Sequence, residues 1–141
     1  MQVTFDQILA TLGTGLPVLL SQLGATIILL AIGIAIYQAI TPFNERRLIA
    51  EGNIAAGIVL SGSILALAIP LAATLATSSL LVDIVVWGIV ALAIQLVTFV
   101  VVALLFRGLK AGVEAGNVAA GLGLAAAQIA VALLNAGAMA G

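Results

Sequence analysis

Charged side chains interrupt the chain at nine places only, Asp6, Glu45, Arg46, Arg47, Glu51, Asp83, Arg107, Lys110 and Glu114, and leave uncharged stretches over 7–44, 52–82, 84–106 and 115–141. Each is long enough to cross a bilayer, which takes about 20 mostly apolar residues at about 1.5 Å each. Trimmed at turn signals, they predict spanning helices from Pro17 to Ile40, Asn53 to Ala76, Leu80 to Phe106 and Asn117 to Ala138. Pro17 suits an opening turn, where its missing amide hydrogen costs nothing, and Thr41-Pro42 closes the first span because proline disfavours helix at the residue before it. Only Thr77, Ser78 and Ser79 separate the second span from the third, so these two form an antiparallel hairpin. Pro70 removes a backbone hydrogen bond and predicts a kink in the second span. Ahead of the first span, Phe5, Ile8, Leu9 and Leu12 repeat at helical spacing before Gly13-Thr14-Gly15. This segment reads either as a short external helix lying on the membrane or as an extension of span one.

Composition turns the pattern into a class. The 141 residues are 65% hydrophobic and 6% charged, against roughly a quarter charged in an average soluble domain, so lipid is the solvent for most of the surface. No Cys and no His are present, which removes thiol chemistry, disulfides, imidazole catalysis and the usual zinc and haem ligand sets. A formal charge of -1 gives nothing to attract nucleic acid. All four basic residues fall in the loops after spans one and three, which puts both loops on the cytoplasmic side and both termini outside. Asp6, Asp83 and Trp87 then mark the outer ends. With no Lys or Arg in the first 44 residues, the start lacks the basic region of a signal peptide, and no cleavage is expected.

The segment Gly52-Asn53-Ile54-Ala55-Ala56-Gly57 recurs 64 residues later as Gly116-Asn117-Val118-Ala119-Ala120-Gly121, each copy following a basic loop and opening a span. Two-span repeats keep their orientation, so the halves are expected to be related by an axis along the membrane normal. The predicted fold is therefore an all-α integral membrane protein of four transmembrane helices. They form two parallel-repeated helical hairpins, with an external segment over 1–16 and repeats over 17–76 and 77–141. Asn53 and Asn117 are expected as helix N-caps. The alternative is that the two helix N-termini hold an anion or gate a path, which Glu51 and Glu114 beside them disfavour by repulsion.

Polar residues inside the spans carry the remaining information. On span four, Asn117, Gly121, Ala125, Gln128, Ala132 and Asn135 recur at steps of three and four and share one face. Span two has a shorter version in Asn53, Gly57 and Ser61. Such small and polar faces normally pack against other helices. Gln95 and Gln128 each lie 11 residues from the basic end of their spans, and Gln22 and Asn135 each lie 18 from theirs. Matching depth predicts that Gln128 bonds Gln95 and that Asn135 bonds Gln22, each contributing about 0.5–2 kcal/mol. These residues form either a structural clasp, the favoured reading, or a polar path for water, ions or a small solute.

Thr41-Pro42 with Glu45, Leu48-Ile49 before Gly52-Asn53, Ile69-Pro70-Leu71-Ala72, Asp83, Trp87-Gly88, Gln95-Leu96, the second Gly-Asn-x-Ala-Ala-Gly and Leu134-Asn135-Ala136 together resemble the YjfL-like family of small bacterial inner-membrane proteins, classed as a domain of unknown function. The resemblance implies four spans with a duplicated hairpin, in accessory proteins of the bacterial envelope. It implies no established activity. The expected role is an accessory or structural membrane protein assembling with itself or with other envelope proteins, the alternative a small channel or solute permease. No nucleophile, base and orienting group can be assembled from these residues, so neither an enzyme nor a cofactor is expected.

Overall fold

The computed structural model describes residues 2–141. Six helices follow one another: α1 (Phe5–Ile40), α2 (Glu45–Ala50), α3 (Ile54–Thr77), α4 (Leu81–Leu105), α5 (Gly108–Glu114) and α6 (Val118–Ala140). Four of them, α1, α3, α4 and α6, are long and apolar enough to cross a membrane. No strand occurs among the described residues. The boundaries of α3, α4 and α6 fall within two residues of those expected from the turn signals, because in lipid a backbone can satisfy its polar groups only inside the helix.

The first helix differs from expectation at its start. It does not begin at Pro17 but runs unbroken for 36 residues from Phe5, so residues 5–16 continue the first span and form no separate external helix. Thr4 caps it, and the Gln7 side chain returns to accept from the Thr4 amide at 3.0 Å. A helix started this firmly carries through Gly13 and Gly15, and Pro17 costs little beside so many other intact bonds. At about 1.5 Å per residue α1 is about 54 Å long, some 20 Å more than the hydrocarbon core. Residues 2–21 are exposed on every side, and α1 joins the bundle only from Gln22 onward.

The four long helices form a rhombus. α3 and α4 meet along the short diagonal, α1 packs on both from one side, and α6 packs on both from the other, with α3 and α6 the most intimate pair. Small residues permit that intimacy. A Cβ added to Gly62 would lie 2.5 Å from the Ala125 Cβ, and one added to Gly121 would lie 2.9 Å from the Ala55 carbonyl oxygen. On the other seam, Gly88 and Gly33 receive the ends of Leu29 and Leu92. The core comprises Leu29, Leu67, Leu71, Leu92, Phe99 and Ala132 in one layer, and Leu48, Ala55, Ala56, Val59, Val102, Val113 and Leu124 nearer the basic loops.

The basic loops fold into the short helices α2 and α5, and both lead into a long helix through the same turn. Gly52 and Gly116 take φ of 85° and 79°, a left-handed conformation that glycine adopts without steric cost. In each turn the glycine amide bonds back to Ile49 or Val113, and the following asparagine amide to Leu48 or Gly112, which closes the short helix in a Schellman motif. That asparagine then caps the next helix. Asn53 Oδ1 accepts from the Ala56 amide at 3.0 Å, and Asn117 Oδ1 from the Ala120 amide at 3.3 Å. One Gly-Asn pair thus ends one helix and starts another. The ion pairs Arg47–Glu51 and Lys110–Glu114 lie on exposed loop surface, where such pairs contribute only a few tenths of a kcal/mol.

Candidate functional site

The buried polar side chains Glu45, Ser63, Gln95 and Gln128 form a column that starts at the basic end and reaches mid-bundle, while Thr74 and Asn135 are buried nearer the other end. Glu45, at the start of α2, is 3% exposed, and its Oε1 accepts from the Tyr37 hydroxyl on α1. The Ser63 hydroxyl of α3 lies beside Tyr37 and donates to the Gln128 Oε1 of α6 at 2.7 Å. Gln95 of α4 donates from Nε2 to the Gln128 carbonyl at 3.0 Å. Hydrogen bonds therefore tie α3, α4 and α6 together near one level, with Tyr37 of α1 beside them. Two acceptors in this column, Glu45 Oε2 and Gln95 Oε1, are buried without a partner among the described residues.

Gln95 and Gln128 do meet, but through the Gln128 main chain, because the Gln128 side chain turns to Ser63. The expected bond between Asn135 and Gln22 does not form. Equal depth is not enough, since α1 and α6 stand at opposite ends of the rhombus. Asn135 Nδ2 instead reaches the Ala91 carbonyl of α4 at 3.3 Å, and Gln22 Nε2 reaches the Ser79 carbonyl at 3.0 Å on the exposed edge.

On α6, Gly121, Ala125, Gln128, Ala132 and Asn135 are all buried, and Asn117 stays exposed as a cap. On α3 the expected stripe of Asn53, Gly57 and Ser61 is displaced from the contact. Gly62 and Ser63 are buried, while Ser61 is exposed and a Cβ on Gly57 would meet nothing within 4 Å. The contact runs along Ala55, Val59, Gly62 and Ala66, buried at helical steps with Ala55 against Gly121 and Gly62 against Ala125, a row that a search for Gly-xxx-Ser spacing passes over. Gly57 and Ser61 instead line an open groove between α3 and α6, rimmed by Leu65 and Leu122.

The two Gly-Asn turns differ in surroundings. Asn53 Nδ2 donates to the Val113 carbonyl at 2.7 Å, which also accepts from the Gly116 amide, and to the Glu114 carbonyl at 3.3 Å at the end of α5. Asn117 has no matching bond among the described residues. Replacing Asn117 by alanine should cost one cap, about 0.5–2 kcal/mol. Asn53→Ala should cost about 1 kcal/mol more, for the lost tie to α5. Thermal unfolding of the two variants in one detergent checks this, and equal losses would show that the tie contributes nothing.

Glu45 was visible in the sequence only as a loop charge. Leaving water pushes its carboxyl up to about 7, and the Tyr37 hydroxyl pulls it partly back down. No cation pairs with it among the described residues. Its proximity to Thr41-Pro42, which turns the chain back over the end of α1, was the available signal: a loop this short holds its next residue against the helix it has just left.

Four apolar helices, clasped by amides and hydroxyls and joined by short capped loops, define a small polytopic α-helical membrane protein. The chain belongs to the family described as Domain of Unknown Function (DUF350), which it matches over residues 11–139. It is 38% identical over 104 residues to the UPF0719 inner membrane protein YjfL of Escherichia coli (strain K12), a match that covers 74% of this chain and 79% of that protein. The protein of the same name from Escherichia coli O157:H7 matches to the same extent. No solved structure matches at a significant level. The relatives and the four apolar helices support a multi-pass location in the inner membrane.

Proposed function

We propose that the chain is an accessory or structural protein of the inner membrane, acting through helix contacts with further copies of itself. The observation that carries this reading is where the deep polar groups are spent. Gln95, Gln128, Ser63 and Asn135 face one another or backbone carbonyls inside the bundle, which favours a clasp over the lining of a passage. What remains for outside contacts is the Gly57 and Ser61 groove and the uncovered first turns of α1. In this reading the basic loops face the cytoplasm and both termini lie outside. The α2–α3 and α5–α6 units descend from one duplicated unit, which their shared turn supports.

One observation favours the permease as a second reading. A hollow of about 600 Å³ opens at the end away from the basic loops, lined by Thr74, Thr77, Asp83 and Asn135. The buried column rises toward it from the other end, and only the layer around Ala132 separates them.

Self-assembly is tested by disulfide cross-linking in native membranes. Ser61→Cys should give a covalent dimer, Gly57→Leu should abolish it, and Leu134→Cys, exposed on α6 away from the groove, should give none. Absence of the Ser61→Cys dimer, together with a monomer by native mass spectrometry, would overturn the assembly role.

A further inference from the structure

The basic end of the bundle contains a cavity of about 70 Å³ between the end of α1, α4, α5 and α6. Aromatic residues are scarce in this chain, six in all, yet Tyr37, Phe43, Phe99 and Phe106 line this one space. Tyr37 and Phe99 already pack edge-on at 4.7 Å between ring centroids. Gln128, 2% exposed, also lines it. Its oxygen is taken by Ser63, while its amide nitrogen donates to no described residue. Because the Tyr37 hydroxyl is committed to Glu45, the Gln128 amide is the deep donor still free.

We propose that this cavity binds an uncharged ring carrying a carbonyl group, of the size of a quinone headgroup, with any alkyl tail left in the lipid. Each part of that description has a cause on the walls. The volume is a handful of waters by the roughly 10–15 Å³ that each requires, so it admits one small ring and excludes a bulky solute. Aromatic walls favour an offset-stacked or edge-on ring. A free amide donor deep in an otherwise apolar space favours an acceptor such as a carbonyl, since an apolar occupant would leave it unsatisfied. Lys110 in the lining disfavours a cation. Val100 and Ala103 line the cavity and are exposed on the lipid-facing side of α4, so the occupant reaches it sideways from the membrane. The site requires one chain only, and it stands whether or not copies assemble.

The test uses the purified full-length chain in mild detergent with decylubiquinone as the probe. Saturable binding is expected by titration calorimetry, with the quinone carbonyl band moved to lower wavenumber in the bound state, as hydrogen bonding requires. Ala103→Leu, which fills the mouth without touching the clasp, should weaken binding at least tenfold with no loss of thermal stability. Gln128→Met should remove the carbonyl shift; if that variant fails to fold, the Ala103→Leu affinity and the shift in the parent chain still decide. No binding, binding unaffected by Ala103→Leu, an unshifted carbonyl, or equal competition by decane would each overturn the proposal, the last by showing that any alkyl chain serves.

Discussion

Gly62→Ala and Gly121→Ala should each destabilise the bundle by about 1–3 kcal/mol, whereas Gly123→Ala, on the same helix as Gly121, should be neutral or stabilising. The three substitutions add the same methyl group, so the difference isolates the contact. At Gly62 the new Cβ would sit 2.5 Å from the Ala125 Cβ and 3.0 Å from its Cα, and at Gly121 it would sit 2.9 Å from the Ala55 carbonyl oxygen and 3.2 Å from the Ala55 Cα. Backbone cannot swing aside as a leucine tip can, so α3 and α6 must separate. Separation also lengthens the Ser63 to Gln128 hydrogen bond, which spans the same seam. At Gly123 nothing lies within 4 Å, and the gain in helix propensity is all that remains. Thermal unfolding of the three variants in one detergent measures the contrast. Equal effects would mean that close approach of α3 and α6 does not hold the fold.

Glu45→Gln should make the protein more stable at pH 8 by up to about 3 kcal/mol and leave it unchanged near pH 4.5. The folded carboxyl titrates at about 7 against an ordinary value of 4.5, because burial penalises its charge. Between those values the folded chain holds a proton that the unfolded chain has released. Stability therefore falls as pH rises through that window and levels off above about 7. Glutamine cannot ionise and still offers an oxygen to the Tyr37 hydroxyl, so the variant should lose the slope while keeping the bond. The check is the unfolding midpoint of both proteins from pH 4.5 to 8. Parallel curves would place Glu45 in water, contrary to its 3% exposure.

Much of the architecture was legible because lipid permits few solutions. Charges mark where the bilayer stops, and the Gly-Asn pairs announce their turns because a left-handed glycine followed by a capping asparagine has little else to do. The α6 face could be read because glycine, amides and alanine recur at helical steps on a helix with little else polar. The face of α3 could not. Alanine and valine form most of its contact row, and the composition of that row matches its lipid side. Pairing of Asn135 with Gln22 failed because depth along a helix can be counted, whereas which helices are neighbours depends on how four cylinders pack. The start of α1 was ambiguous because Pro17 is tolerated both at the opening of a helix and within a long one. Burial of Glu45 was signalled only by the short Thr41-Pro42 turn before it, and the aromatic cavity was not legible at all. Tyr37, Phe43, Phe99 and Phe106 lie on separate elements, and only the fold brings them to one place.

The sealing of the polar column separates a packing role from a passage, and the absence of cysteine allows a single reporter to test it. Ala132 is fully buried on α6 between Gln128 and Asn135. Ala132→Cys in native membranes should stay unlabelled by a membrane-impermeant thiol reagent added from either side, while Ser79→Cys and Ala111→Cys at the two ends react within minutes. Labelling of Ala132→Cys at a rate close to theirs would show water between the two polar clusters and would contradict the clasp.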